Sequence, residues 1–314
     1  MVISHSSKLK LAVCLFGHLR TFKQCAPFLR KNLLNKCDYD LFMHTWTTLD
    51  HNTKSWHDTT PMKGETNRQE VIDTYGELKG LEIEEQEPQD WGVVTSKPNC
   101  VRKETQMSIF GIDAMYHSIR EANRLQEAYA TQNNIKYDLV LFIRPDIWLK
   151  KPVDLKKILE VISQQDIEQG FFTCANEMSK LVRGFESLGG NDCLFFATPH
   201  VISDVVKNTT QIASRLQQSN KIEYCPEYEL IKLVIERSWT PYKVCLRIGY
   251  DWDICRPINY GLRRKLIRIR VRKSYIRIHL FELCMRPIFQ WRLSLLSFEF
   301  DFCIGAAAKD ITEK

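Results

Sequence analysis

The sequence predicts an α/β protein: a three-layer α/β/α arrangement around a mostly parallel sheet, followed by a basic C-terminal extension. Short runs of Leu, Val, Ile and Phe without polar alternation recur along the chain, such as Leu139-Val140-Leu141-Phe142-Ile143. Such runs suit strands covered on both faces, which is the condition of a parallel sheet. Segments with helical spacing of apolar residues separate them up to about residue 250. Beyond residue 255 the composition changes to interleaved basic and aliphatic residues.

Leu9 to Phe16 predicts the first buried strand, ending in Gly17-His18-Leu19-Arg20. Phe22, Cys25, Phe28, Leu29 and Leu33 then recur at helical spacing, giving a helix to about Asn35. Tyr39 to His44 is a second strand, and the crossover length suits parallel pairing. Thr47 to Asn67 lacks periodicity and predicts a long loop. A short helix over Arg68 to Tyr75 and a strand over Leu81 to Glu84 follow. The longest apolar stripe, Ile109, Ile112, Met115, Tyr116, Ile119, Ala122, Leu125 and Ala128, predicts a long amphipathic helix. Tyr137 to Ile143 is a central strand that runs into Arg144-Pro145-Asp146. Pro152 is expected to begin a helix carrying Val153, Leu155, Ile158, Leu159 and Ile162. Gly170 to Cys174 and Cys193 to Ala197 predict strands, Pro199 to Leu216 and the segment from Pro226 helices, and Tyr242 to Ile248 a last strand.

The chain has 314 residues, 44% of them apolar and 26% charged, which is the composition of an ordinary globular protein and excludes disorder as the default. It contains no stretch of the ~18 to 20 apolar residues needed to span a bilayer. Leu9 to Phe16 is too short for a secretory core and lacks a small-residue cleavage site, so a cytoplasmic location is expected. Eleven cysteines with no Cys-x-x-Cys pair fit reduced, buried thiols better than a disulfide frame or a zinc site.

Three segments carry candidate chemistry. Gly17-His18-Leu19-Arg20 joins a strand to a helix, which offers backbone N–H groups and a guanidinium to an anion. A plain turn with Gly17 chosen for its backbone conformation fits the same residues. With only one glycine it is not the dinucleotide fingerprint, so a nicotinamide enzyme is not expected. Arg144-Pro145-Asp146 ends a buried strand at the edge where α/β sheets bind ligands. Pro145 stops the ladder, so Asp146 is expected to project into the cleft, where it could hold Mg²⁺ or Mn²⁺ on a diphosphate with Arg144 as a second contact. A salt bridge between Arg144 and Asp146 is the alternative. Gly189-Gly190-Asn191-Asp192 precedes an apolar strand, and Asp192 there suits either a general base or an Asx turn. Glu227 and Glu229 are weaker candidates, since acids in a first helical turn are favoured by the dipole alone. His44, Trp46, His51, Trp56, His57 and Asp58 gather near the second strand without metal-ligand spacing. No nucleophile elbow supports Ser-His-Asp hydrolysis.

Lys10 to Thr21, the Tyr39 to Trp46 strand, the Lys136 to Asp146 strand and the Asn191-Asp192 segment resemble, in that order, bacterial glycosyltransferases of capsule and lipopolysaccharide synthesis. Those enzymes are similar to the GT-A nucleotide-diphospho-sugar transferases. The resemblance covers residues 9 to 240 and lies in the ordered set of motifs. It implies a GT-A-like fold and a UDP-, GDP- or CDP-sugar donor across the carboxyl ends of the strands, with Gly17 and Arg20 near the nucleotide. It also implies that Arg144-Pro145-Asp146 stands in place of the Asp-x-Asp metal motif. Arg144 replaces the first acid, so part of the positive charge on the diphosphate would come from a guanidinium.

Residues 1–255 are thus expected to form the nucleotide-sugar domain and residues 256–314 a basic amphipathic segment. From Arg256 to Arg292 eleven Lys or Arg face one acid, Glu282, a net of +10 in a chain of net charge +6, so the remainder carries −4. Such a segment suits peripheral attachment to the anionic inner face of the cytoplasmic membrane, beside a lipid-linked glycan acceptor. Nucleic-acid binding or a solvated face are the rival readings of the segment. Transfer of another activated, phosphoryl-linked group, or non-enzymatic binding of a polyanion, are the alternatives to glycosyl transfer.

Overall fold

A computed structural model describes residues 9–51, 62–86, 96–98, 106–175, 192–218 and 226–255. The basic extension, Gly189-Gly190-Asn191, and Trp56, His57 and Asp58 lie outside the described residues. The first strand β1 (Lys10–Phe16) leads through α1 (Phe22–Asn32) to β2 (Asp38–Trp46), then α2 (Arg68–Tyr75) and β3 (Gly80–Glu84). A small ribbon, β4 (Ser96–Pro98) with β5 (Gln106–Ser108), precedes the long helix α3 (Ile109–Asn133) and the strand β6 (Leu139–Ile143). Next come β7 (Ile147–Leu149), α4 (Leu155–Glu160), α5 (Gln164–Gln169), β8 (Gly170–Ala175), β9 (Leu194–Ala197) and α6 (Pro199–Lys207). The last elements are α7 (Thr210–Gln218), α8 (Pro226–Glu236), β10 (Thr240–Arg247) and β11 (Trp252–Ile254).

The central sheet has seven strands in the order β10-β8-β9-β6-β1-β2-β3. All its pairings are parallel except those of β9, which runs antiparallel to both β6 and β8. The expected mostly parallel α/β/α architecture is therefore observed. Alternation along the strands divides the core into two layers. Leu11, Val13 and Leu15 pack with Leu139, Leu141, Phe22, Ala26 and Leu29 on the α1 face. Ala12, Cys14 and Phe16 pack with Val140, Phe142, Tyr116, Ile119 and Ala122 on the α3 face, which α6, α7 and α8 also cover through Val201, Ile212 and Leu230. With two occupied faces no strand can alternate polar and apolar residues, which is why the strands read as unbroken apolar runs.

Two expectations about elements are corrected. The helix expected at Pro152 begins at Leu155, because the Asp154 side chain accepts the Lys157 N–H and sets the cap beyond the proline. The helix expected over Pro199 to Leu216 is two helices, since Asn208 and Thr209 close the first with turn hydrogen bonds to Val205 and Val206. The strand into Arg144-Pro145-Asp146 ends at Ile143, as expected, and Ile147 to Leu149 pairs with β11. The ribbon β4–β5 has no counterpart among the sequence-derived elements. Among the described residues no helix is long and apolar enough to cross a membrane.

Candidate functional site

The chain leaves β1 through α1 on one face to reach β2, and later returns through α3 on the other face to reach β6, on the opposite side of β1. The carboxyl ends of β1 and β6 therefore flank the point where the connections diverge, which is where α/β sheets open a ligand crevice. β9 is antiparallel and starts beside the end of β6, with Ile143 opposite Leu194, so it delivers Asp192 to the same edge.

The loop after β1 is specialised in its backbone. Gly17 has φ +88 and a Cβ there would meet nothing within 4 Å, so its role is conformational. Arg20 has φ 45, a region that a non-glycine residue adopts only when its surroundings hold it. Those surroundings are two carboxylates. Arg20 Nε donates to Asp50 Oδ1 at 2.7 Å and Nη1 to Asp146 Oδ2 at 3.1 Å. Arg144 donates to the same aspartate, Nε to Oδ1 at 2.9 Å and Nη2 to Oδ2 at 2.6 Å. Asp146 is 0% exposed and holds two guanidiniums, one from each side of the crevice.

This arrangement corrects one expectation and narrows another. Asp146 does not project into the cleft: both of its oxygens face guanidinium groups in the interior, so a metal ion there would have to displace cations already seated. In the loop after β1, three of the amides that could meet an anion are already paired within the protein. Gly17 N–H donates to Ser118 Oγ, Arg20 N–H to the Leu49 carbonyl and Phe22 N–H to the Leu19 carbonyl. Pro145 does terminate the strand, in a turn closed by Ile147 N–H on the Arg144 carbonyl at 3.2 Å. Cys255 N–H donates to the Asp146 carbonyl at 2.7 Å, and Thr21 Oγ1 donates to the Cys255 carbonyl, so the end of β11 clasps the turn against α1.

Burial disfavours a charged Arg144, but the Asp146 carboxylate outweighs it and its pKa is raised. Burial also works to raise the Asp50 pKa, yet the Arg20 guanidinium holds it below its usual value. Asp192 is buried and its pKa is raised by desolvation, against the opposing pull of the Cys193 thiol and of Arg144. Arg144 N–H donates to the Cys193 carbonyl at 3.1 Å and Nη1 approaches Cys193 Sγ at 3.6 Å. Arg144, 13% exposed, is thus the link between the carboxylate pair and Asp192. Glu229 is buried in α8, where its charged neighbours are Arg215 and Lys232, each at 4.0 Å.

A second group stands at the ends of β2 and β3. His44 Nε2 lies 2.9 Å from Glu84 Oε2, and His117 Nε2, reaching in from α3, lies 2.8 Å from the same oxygen. Trp46 stacks on His117 at 5.6 Å and meets His44 edge-on at 5.1 Å, so one indole buttresses both rings. The two clusters are joined through Ser118, which accepts from Gly17 N–H and contacts His44 Nδ1. Of this group only His44 and Trp46 were visible as candidates in the sequence, and without ligand spacing. Glu84 and His117 are 40 and 73 residues beyond His44; the β2–β3 register, which sets Trp46 opposite Glu84, could have found the first, whereas His117 comes from α3 and no strand register points to it.

No protein-family model matches the chain, and no curated protein matches it. Among solved structures, the chain is similar to the apo-form glycosyltransferase GlyE of Streptococcus pneumoniae TIGR4, with 10% identity and a TM-score of 0.37. The likeness covers 75% of this chain and 45% of that one, so this chain spans less than half the length of that protein.

Proposed function

We propose that the protein is a glycosyltransferase that moves a sugar from a nucleotide-diphosphate donor to a glycan acceptor of capsule or lipopolysaccharide synthesis. One observation carries the reading: three separate segments that resemble such enzymes, together with Asp192 of the fourth, meet at one edge of the sheet, linked through Arg20–Asp146 and Gly17–Thr45 contacts and, by way of Cys193, from Arg144 to Asp192. Arg20 and Arg144 are the donor-binding cations, held rigid by Asp50 and Asp146, and they stabilise the negative charge that grows on the leaving diphosphate. Asp146 acts as their positioning residue, and Gly17 lets the first loop approach the nucleotide. Asp192 takes the proton of the acceptor hydroxyl as its oxygen bonds to the anomeric carbon and the bond from that carbon to the diphosphate breaks. Its raised pKa suits that task, because a base with a higher pKa takes a proton more readily.

The test is a thermal-shift screen of the full chain against UDP-, GDP- and CDP-sugars, with and without Mn²⁺, followed by a transfer assay with the donor that binds. One nucleotide class is expected to raise the melting temperature, as a ligand specific to the native state must. Asp192→Asn is expected to retain donor binding and lose at least ~100-fold in transfer. Absence of any donor response, or full transfer by Asp192→Asn, overturns the reading.

A further inference from the structure

We infer that His44, Glu84 and His117 form a binding site for a divalent first-row transition ion, with Zn²⁺ the best match to the ligand set. This inference does not depend on the glycosyl-transfer reading. Three ligand atoms from three elements lie within 4.8 Å of one another: His44 Nε2, a Glu84 carboxylate oxygen and His117 Nε2. Tetrahedral zinc holds such atoms at ~2.0–2.1 Å, which places neighbouring ligand atoms about 3.3 Å apart. The two histidine–Glu84 separations, 2.9 and 2.8 Å, lie within about half an ångström of that spacing, and the two histidines stand within 4.8 Å of each other.

The contacts of Ser118 supply a second argument. Its hydroxyl accepts from Gly17 N–H at 2.7 Å and lies 3.2 Å from the His44 carbonyl. The same oxygen stands 2.9 Å from His44 Nδ1, the ring nitrogen that does not face Glu84. Ser118 thus holds the ring orientation, as the outer partner of a metal-bound histidine does. His44 Nε2 and Glu84 Oε2 stand 2.9 Å apart, within hydrogen-bond reach, and a bound cation would take the place of the proton they share. His117 Nε2 addresses the same point, so the geometry is a three-ligand cage and not one ion pair.

Imidazole nitrogens favour zinc and its neighbours over the oxygen-seeking Mg²⁺ and Ca²⁺. His44 is 0% exposed and closes the inner side, whereas His117 and Glu84 are 17% and 31% exposed. A fourth coordination position therefore lies on the outer side, open to a water or an oxygen of an anionic ligand, in the pattern of sites that bind substrate instead of merely bracing the fold.

The test uses the full chain, stripped with chelator and dialysed against Zn²⁺, with metal content measured by mass spectrometry. Wild type and His200→Ala, which alters an exposed histidine on α6, are expected to bind one equivalent at the site. His117→Ala and Glu84→Gln, checked for unchanged circular dichroism, are expected to bind at least ~10-fold more weakly. Co²⁺ is expected to give a tetrahedral ligand-field spectrum in wild type that both variants lose. Failure of the wild type to retain Zn²⁺, or equal retention by the two variants, overturns the inference.

Discussion

The two polar clusters at the carboxyl edge of the sheet solve the problem of buried charge in opposite ways. Around Asp146 two guanidiniums and two carboxylates balance one another, and each formal charge has an opposite within hydrogen-bond distance. Around Glu84 two imidazoles share one carboxylate oxygen, and the charge balance depends on what sits between them. A self-balanced cluster contributes to holding the fold and costs heavily when cut. The Glu84 cluster, with two of its three members partly exposed, is expected to tolerate substitution better.

That contrast predicts an order of effects. Asp146→Ala has the largest, because it strands the Arg144 guanidinium and takes from Arg20 one of its two carboxylates; removing one partner of a buried pair costs ~3–5 kcal/mol, so urea denaturation is expected to show a loss of about that size. Equal stability of wild type and this variant would break the comparison at its root. Asp50→Asn comes next, at ~1.5–3 kcal/mol for a hydrogen bond to a charged group near pH 7. The Asp50 carboxyl is held below its ordinary value, so its contribution is complete above the unfolded-state pKa of about 4 and disappears as pH falls through the lower folded value. The gap between wild type and Asp50→Asn is therefore expected to narrow as pH falls below the ordinary carboxylate range, and a gap that does not change with pH would place the stabilisation in packing instead.

Ser118→Ala probes the link between the clusters. Loss of its contacts with Gly17 and His44 is expected to cost ~1–2 kcal/mol in thermal unfolding and to weaken Zn²⁺ binding ~10- to 100-fold. Glu84→Gln has the smallest effect on stability, expected within about 1 kcal/mol without metal, since the amide keeps the shape and a hydrogen-bonding oxygen. A loss of several kcal/mol would mean that the triad serves the fold as the Asp146 cluster does.

The strands and helices were legible because burial on two faces leaves apolar runs, and burial on one face leaves a 3.6-residue stripe. β1, α1, β2, α2, β3, α3 and β6 all fall where these periods put them. The antiparallel direction of β9 was not legible, since an apolar run carries no polarity of its own. Nor was the partner of Asp146. Arg144 is two residues away and could be guessed, but Arg20 arrives across 126 residues of sequence.

The sequence by itself determined which segments are buried, that they alternate as strand and helix, and that charged residues stand at the ends of β1 and β6. Those properties are local, set by side-chain chemistry and its period along the chain. The tertiary structure decided what the charges do. It turned Asp146 inward between two arginines, and it brought His44, Glu84 and His117 together at the ends of β2 and β3 and on α3. Hydrogen bonds and metal ligation act over about 3 Å and depend on which strand ends become neighbours, and strand order is fixed by packing across the whole sheet.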